Sequence, residues 1–168
     1  MEAGARRYQF EPRDCTEVVS RIVEDFRGEA HATGHDIEFR GSGSAQIDVD
    51  DEALGRAVRN LLDNAVKYSP GPSPVEVDLE RRNGHVFISV HDHGIGIPAD
   101  ERADIFAKFH RGEQARIRGI KGTGIGLAMV DEIVRAHHGR VEVDSEPGKG
   151  STFTIVLPIQ AHGSGLMA

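Results

Sequence analysis

Asn60-Leu61-Leu62-Asp63-Asn64-Ala65-Val66-Lys67-Tyr68-Ser69 carries two patterns at once. Leu61, Leu62 and Ala65 continue an apolar stripe that begins at Leu54, Ala57 and Val58, spaced as one face of an α-helix. Asn60, Asn64 and Lys67, at i, i+4 and i+7, form a polar stripe on the same helix. That stripe can border a core without being buried in it. Two side-chain amide oxygens and an ammonium in a row suit a magnesium ion and its phosphates, because magnesium takes oxygen ligands and keeps part of its water shell. An ordinary solvated helix face is the alternative reading. The helix opens near Asp50-Asp51-Glu52, acids suited to a helix N-terminus, and stops before the stiff loop Pro70-Gly71-Pro72-Ser73-Pro74.

Working outward, residues 16–32 place Val18, Val19, Ile22, Val23 and Phe26 at helical spacing, with Asp14 or Thr16 as the cap and Thr33-Gly34 as the end. Residues 36–40 and 45–49 alternate apolar and polar side chains around Gly41-Ser42-Gly43, which predicts a hairpin. Residues 75–81 and 86–92 predict a second hairpin through Asn83-Gly84, the best turn signal in the chain. Residues 98–121 are highly charged with one apolar patch, Ile105, Phe106 and Phe109, and read as a long loop containing one helical turn. A third helix is predicted over 124–138 with Gly139 as its cap, and strands over 140–145 and 151–157 close the fold. The order α-β-β-α-β-β-loop-α-β-β predicts a mixed, mostly antiparallel sheet of about five strands with three helices on one face. The expected organisation is an entry segment at 1–13, one domain at 14–158 and a disordered tail at 159–168.

The 168 residues suit a single core. A net charge of −7 without a dense basic block argues against a nucleic-acid groove and against contact with an anionic membrane surface. Every apolar run is shorter than the ~18 residues needed to span a bilayer, and residues 1–8 lack the apolar core of a signal peptide. The expected location is cytoplasmic. Cys15, the single cysteine, excludes an internal disulfide and a cysteine-rich zinc site.

Three further segments carry chemistry. Asp92-His93-Gly94-Ile95-Gly96-Ile97-Pro98 sets an acid at a strand end before two glycines, which permit a tight turn and close approach to a flat ligand. A carboxylate there can accept a hydrogen bond from an exocyclic amine such as that of adenine. A metal site at His91, Asp92 and His93 is disfavoured, because Asp92 points to the opposite face of a strand from the two histidines. Gly122-Thr123-Gly124-Ile125-Gly126-Leu127 opens the third helix, where backbone N–H groups and the positive helix end suit phosphate. No strand precedes it, as a dinucleotide-binding fingerprint requires, and no Lys-Ser or Lys-Thr pair follows, as a P-loop requires. Ile105-Phe106-Ala107-Lys108-Phe109-His110-Arg111 can pin the long loop with its aromatics while its cations reach phosphates. A solvated face is again the alternative.

Taken in order, these segments resemble the histidine-kinase branch of the gyrase, Hsp90, histidine kinase and MutL ATPase superfamily. The resemblance covers residues 10–157: the N box at 60–69, the first glycine box at 92–96, the F box at 105–111, the second glycine box at 122–127 and a last-strand signature at 148–153. It implies a Bergerat-type α/β two-layer sandwich with ATP held between the second helix and a lid at 98–121. By that match Asp92 binds the adenine amine, Asn64 binds magnesium and Asn60 supports the metal and phosphates. Lys67 and Arg111 contact phosphates, joined by Lys108 and His110, and Tyr68 flanks the nucleotide. Gly94, Gly96, Gly122, Gly124 and Gly126 give backbone room, and Ile97, Thr123, Ile125 and Leu127 complete the nucleotide-binding set. Asn60, Lys67 and Arg111 are the catalytic candidates. Asn60 stands where hydrolytic members such as gyrase carry a glutamate base, which favours phosphoryl transfer to a protein over hydrolysis.

The family's acceptor histidine sits on a dimerising helical hairpin and is followed by an acid and then a proline. His35-Asp36 comes nearest here, but no proline follows and the segment reads as a strand. The resemblance therefore implies a monomeric catalytic fragment of a membrane-anchored parent. Its partners would be ATP, the parent's own dimerisation and phosphoacceptor domain, and a response regulator downstream. An anti-sigma-type serine kinase and a non-catalytic nucleotide-gated module are the competing readings.

Overall fold

The computed structural model describes residues 7–41, 43–107 and 126–159. The elements are β1 (Glu11–Asp14), α1 (Cys15–Ala32), β2 (His35–Gly41), β3 (Gln46–Val49), α2 (Asp51–Lys67), β4 (Ser73–Arg82), β5 (His85–Asp92), a 3-10 helix (Ala99–Asp104), α3 (Gly126–Ala136), β6 (Arg140–Glu146) and β7 (Gly150–Pro158). Five strands form one sheet in the order β2-β4-β5-β7-β6. Only β2-β4 is parallel; β4-β5, β5-β7 and β7-β6 are antiparallel.

The local chemistry of each element explains its limits. Asp14 caps α1 by accepting from Thr16 N at 3.0 Å, and Asp50 caps α2 by accepting from Ala53 N at 2.9 Å. Each such cap contributes about 1 kcal/mol. At the β4-β5 hairpin, Asn83 and Gly84 both adopt positive φ, 51° and 74°, the pair a two-residue turn needs to follow the strand twist. Alternation sorts the sheet faces. Val86, Ile88 and Val90 of β5 are buried, while Phe87, Ser89 and His91 between them are half-buried. The buried face carries the helices: α2 lies against β4 and β5 and is flanked by α1 and α3. Leu54, Leu61 and Leu62 of α2, Phe26 of α1 and Ile133 of α3 meet there, none more than 2% exposed. Cys15 is part of this core, and burial, helped by the Asp14 charge, pushes its thiol up to about 12, so it is inert at neutral pH.

Two local expectations are corrected. The first hairpin does not form: β2 runs parallel to β4, with Ile37 opposite Val75, and β3 pairs antiparallel with β1, with Ile47 opposite Arg13. Alternation decides which face of a strand is buried, and it leaves the partner open. Residues 11–13 of the expected entry segment, with Asp14, thus form a strand of the fold. The α3 terminus also differs. His138, not Gly139, takes the left-handed conformation (φ 64°), with His138 N donating to Arg135 O and Gly139 N to Val134 O, both at 2.9 Å. This is a Schellman motif. Gly139 is needed because a side chain there would strike the Val156 carbonyl of β7. In the 98–121 segment the expected helical turn is the 3-10 helix.

Candidate functional site

Three segments distant in sequence meet at the carboxyl end of β5: the last turn of α2, residues 92–97, and the turn between β6 and β7. Asp92 ends β5 on its buried face and is 4% exposed. Its Oδ1 accepts from Gly94 N at 2.9 Å and from Ser151 N at 3.2 Å. Among the described residues Oδ2 takes no hydrogen bond, so one oxygen is fixed and the other remains available to a ligand. Burial pushes this carboxyl above its usual range, opposed by the two backbone N–H groups and by the nearby His91 and His93.

Residues 92–97 are tied down on both sides. Ile95 N donates to Tyr68 O at 3.1 Å, joining the loop to the α2 C-cap, and Gly148 N donates to Ile95 O at 2.8 Å. Ile97 N donates to Ser145 Oγ at 2.8 Å, and that hydroxyl is also 2.7 Å from Ser151 Oγ. Gly94 has no substitute: a Cβ there would collide with the Tyr68 carbonyl and lie 2.9 Å from Asp92 Oδ1. Gly96 combines a positive φ of 74° with the same kind of contact, against the Glu146 carbonyl.

The α2 stripe lies as its spacing predicts. Asn60 and Asn64 are half-buried and Lys67 is exposed, while Leu61, Leu62 and Ala65 are buried. Asn60 Nδ2 donates to Met129 Sδ of α3 at 3.3 Å, which engages the amide nitrogen and not the oxygen. Lys67 Nζ is 3.3 Å from Asp63 Oδ2, an exposed i,i+4 pair, so a phosphate would compete with that carboxylate. Tyr68 and Ile97 are half-buried. Gly126 and Leu127 stand in the first turn of α3 as described, Gly126 exposed and Leu127 half-buried, and among the described residues nothing lies within 4 Å of where a Gly126 Cβ would stand. Lys108, His110, Arg111, Gly122, Thr123, Gly124 and Ile125 lie outside the described residues, as does the greater part of the 98–121 lid. The near end of that segment is anchored: Arg102 donates to the Ser145 carbonyl, Ile105 is 7% exposed, and Phe106 meets Phe153 edge-on at 6.4 Å.

The arrangement also contains residues that the sequence reading did not single out. Ser145 and Ser151 position the Asp92 loop; Ser151 lies in the last-strand signature at 148–153, but nothing local marks Ser145 or the role of either. His35 is 3% exposed, with Nε2 donating to Ser69 O at 2.9 Å and Nδ1 2.9 Å from Thr33 Oγ1. It is a core histidine and cannot present a nitrogen to a phosphoryl donor. Asp92 faces the helices and His91 the open side of the sheet, as alternation requires.

Residues 49–161 match the family model described as histidine kinase-, DNA gyrase B- and HSP90-like ATPase. The sensor-like histidine kinase SenX3 of Mycobacterium tuberculosis is 39% identical over 147 residues, 86% of this chain and 35% of SenX3. The sensor histidine kinase WalK of Bacillus subtilis is 40% identical over 159 residues, 92% of this chain and 26% of WalK. The chain thus spans about a third or less of the length of these relatives. Among solved structures, the mycobacterial sensor histidine kinase MprB superposes with a TM-score of 0.77 at 36% identity, covering 89% of this chain and 97% of that one. ShkA, solved in full length in complex with AMPPNP, superposes with a TM-score of 0.79 at 29% identity, covering 92% of this chain and 32% of ShkA. With the sheet order, the α2 stripe and the buried Asp92 beside its glycines all in agreement, the chain belongs to the histidine kinase-, DNA gyrase B- and HSP90-like ATPase family, and within it to the catalytic ATP-binding domains of histidine kinases.

Proposed function

We propose that this domain binds Mg-ATP and delivers its γ-phosphoryl group to a histidine on a separate dimerisation domain of the same parent protein, from which a response regulator would take it. The observation that carries this reading is Asp92: a carboxylate 4% exposed, with one oxygen fixed by two backbone N–H groups and the other available for an exocyclic amine. Adenine offers that donor; guanine presents a carbonyl oxygen at the same place. Gly94 and Gly96 let the loop close on the Tyr68 and Glu146 carbonyls and so hold Asp92 in place, with Tyr68 and Ile97 beside the base.

The two asparagines of α2 fit magnesium. They offer neutral oxygen donors on one half-buried face, the donor type this ion accepts. In this reading Asn64 holds the ion and Asn60 supports it and the phosphates. The ion, when bound, neutralises charge on the phosphates during transfer. Lys67 exchanges Asp63 for a phosphate oxygen. By the family resemblance, Lys108, His110 and Arg111 would contact the phosphates, and the 122–127 segment would offer backbone N–H groups. The chain's own contribution is positioning and charge stabilisation, which suffice for phosphoryl transfer. Asn60 is not a base, so it cannot activate a water towards the γ-phosphorus as a glutamate there would. No described helix is long and apolar enough to cross a membrane, and the proposed workplace is the cytoplasmic side of the parent's membrane.

Calorimetry tests the reading of the site. Mg-ATP should bind well above Mg-GTP in affinity, and the isolated chain should turn ATP over more slowly than about 1 per second. Equal affinity for the two nucleotides, or hydrolysis at an ordinary enzyme rate, would contradict it.

A further inference from the structure

On the open face of the sheet, opposite the helices, Glu76 of β4 and His91 of β5 are directly paired across the antiparallel ladder. His93 follows two residues on from His91 and presents its ring to the same side. Glu76 Oε1 is 3.3 Å from His93 Nε2 and 3.8 Å from His91 Nε2, and the two imidazoles stand edge to face with centroids 4.7 Å apart. One ligand atom from each residue lies within 4.8 Å of both others, and this is the single group of its kind among the described residues. We propose that Glu76, His91 and His93 form a binding site for a divalent transition-metal ion of the zinc class, distinct from the magnesium ion of the nucleotide.

The ligand chemistry selects that class. Two imidazole nitrogens and one carboxylate suit zinc and its first-row neighbours, whereas magnesium prefers an all-oxygen octahedron. Zinc bonds of about 2.0–2.1 Å in a tetrahedron hold their ligand atoms roughly 3.3 Å apart. The carboxylate–His93 spacing of 3.3 Å already fits, while His91, 3.8 Å from the carboxylate and with its ligand atom within 4.8 Å of that of His93, must turn towards both. The three side chains are between 23% and 42% exposed, which leaves them free to make that turn and leaves the outer positions to water.

A second observation orients the site. His91 Nδ1 is 2.6 Å from Thr152 Oγ1 of β7, on the strand flanking β5 opposite to β4. A hydrogen bond at Nδ1 with its proton on that nitrogen leaves the Nε2 lone pair directed at Glu76, the arrangement in which an outer hydrogen bond fixes the tautomer of a ligating histidine. The sequence disfavoured a metal here because Asp92, the acid between the histidines, faces the helices. The third ligand comes from the neighbouring strand, a relation that only the register reveals. The position is consequential, since His91 and His93 flank Asp92 in the chain and a dication there sits directly behind the candidate adenine contact.

The test is equilibrium dialysis of the untagged chain against zinc, without nucleotide and with magnesium in large excess. The expected result is one equivalent of zinc per chain, lost in His91→Ala/His93→Ala and in Glu76→Gln. Thr152→Val should weaken it about tenfold through His91 alone. Circular dichroism checks that the variants are folded; all four positions are on the open sheet face and outside the core. Absence of zinc uptake by the wild-type chain would overturn the proposal. Retention of the full equivalent in the double-histidine variant would do the same, by placing the metal on other histidines.

Discussion

Replacing Asp92 with asparagine separates binding from folding, because the two effects have opposite signs. In the apo domain the amide oxygen can still accept from Gly94 N and Ser151 N, which now reach it at 2.9 and 3.2 Å as Oδ1. The carboxyl's pKa is raised in the folded state, chiefly by burial. A raised pKa means that its stabilising contribution is present below the unfolded value near 3.9 and lost as the pH rises through the folded value. At neutral pH the ionised Asp92 therefore costs stability, and a neutral amide removes that cost. The melting temperature of Asp92→Asn should be equal to the wild type or higher. Nucleotide binding should move the other way. The variant places an NH2 group where Oδ2 meets the exocyclic amine, a donor against a donor, and loses a charge-assisted bond of about 1.5–3 kcal/mol. That corresponds to a rise in Kd of roughly 10- to 150-fold. Calorimetry with ATP or a non-hydrolysable analogue, beside a thermal melt of the same sample, reads both quantities. Unchanged affinity in a folded variant would remove Asp92 from the adenine site; a collapse of the melting temperature would make its role structural.

Three other outcomes are expected. Asn64→Ala should weaken Mg-ATP about tenfold, near 1.4 kcal/mol, while changing magnesium-free ADP affinity much less; equal losses in titrations with and without magnesium would dissociate Asn64 from the ion. His137, 5% exposed, has its pKa lowered by burial, and its Nε2 accepts from Asp50 N at 3.0 Å. A depressed pKa gives stability that is present above the unfolded value near 6.5 and lost as the pH falls from there towards the folded value, at up to about 1.4 kcal/mol per pH unit; urea midpoints at pH 7.5 and 5.5 should converge in His137→Gln. Leu62→Ala, at a position 0% exposed in α2, should cost about 2–5 kcal/mol in urea unfolding.

The helices and the second hairpin were legible because their signals are local. The apolar stripe of α2, the caps at Asp14 and Asp50 and the Asn83-Gly84 turn each depend on residues a few positions apart, and each lies where its spacing places it. Pairing was less legible. Alternation at 36–40 and 45–49 marks two strands, but the partner of β2 is β4, beyond an intervening helix, and that of β3 is β1, a four-residue strand that itself contains Pro12 and alternates no apolar side chains. The site shows the same division. Asn60, Asn64, Lys67 and Asp92 belong to motifs readable in single segments. Ser145, which with Ser151 holds the Asp92 loop, and Glu76, which completes a triad with His91 and His93, have no local mark and become visible only through register; Ser151 lies in the 148–153 signature, but its contact with Asp92 does not show there. His137 was likewise unreadable as a buried cap partner, since its acceptor contact with Asp50 N spans 87 positions.

Phosphoryl transfer itself tests the central claim most directly. The chain, the parent's dimerisation domain as a separate protein, and ATP labelled at the γ-phosphorus should be combined with magnesium. The account predicts label on the dimerisation domain that is stable to base and labile to acid, as phosphohistidine is, and that is lost in Asp92→Asn and Asn64→Ala. Label that survives acid, as on serine, or free phosphate released at more than about 1 per second with none on the acceptor, would contradict it.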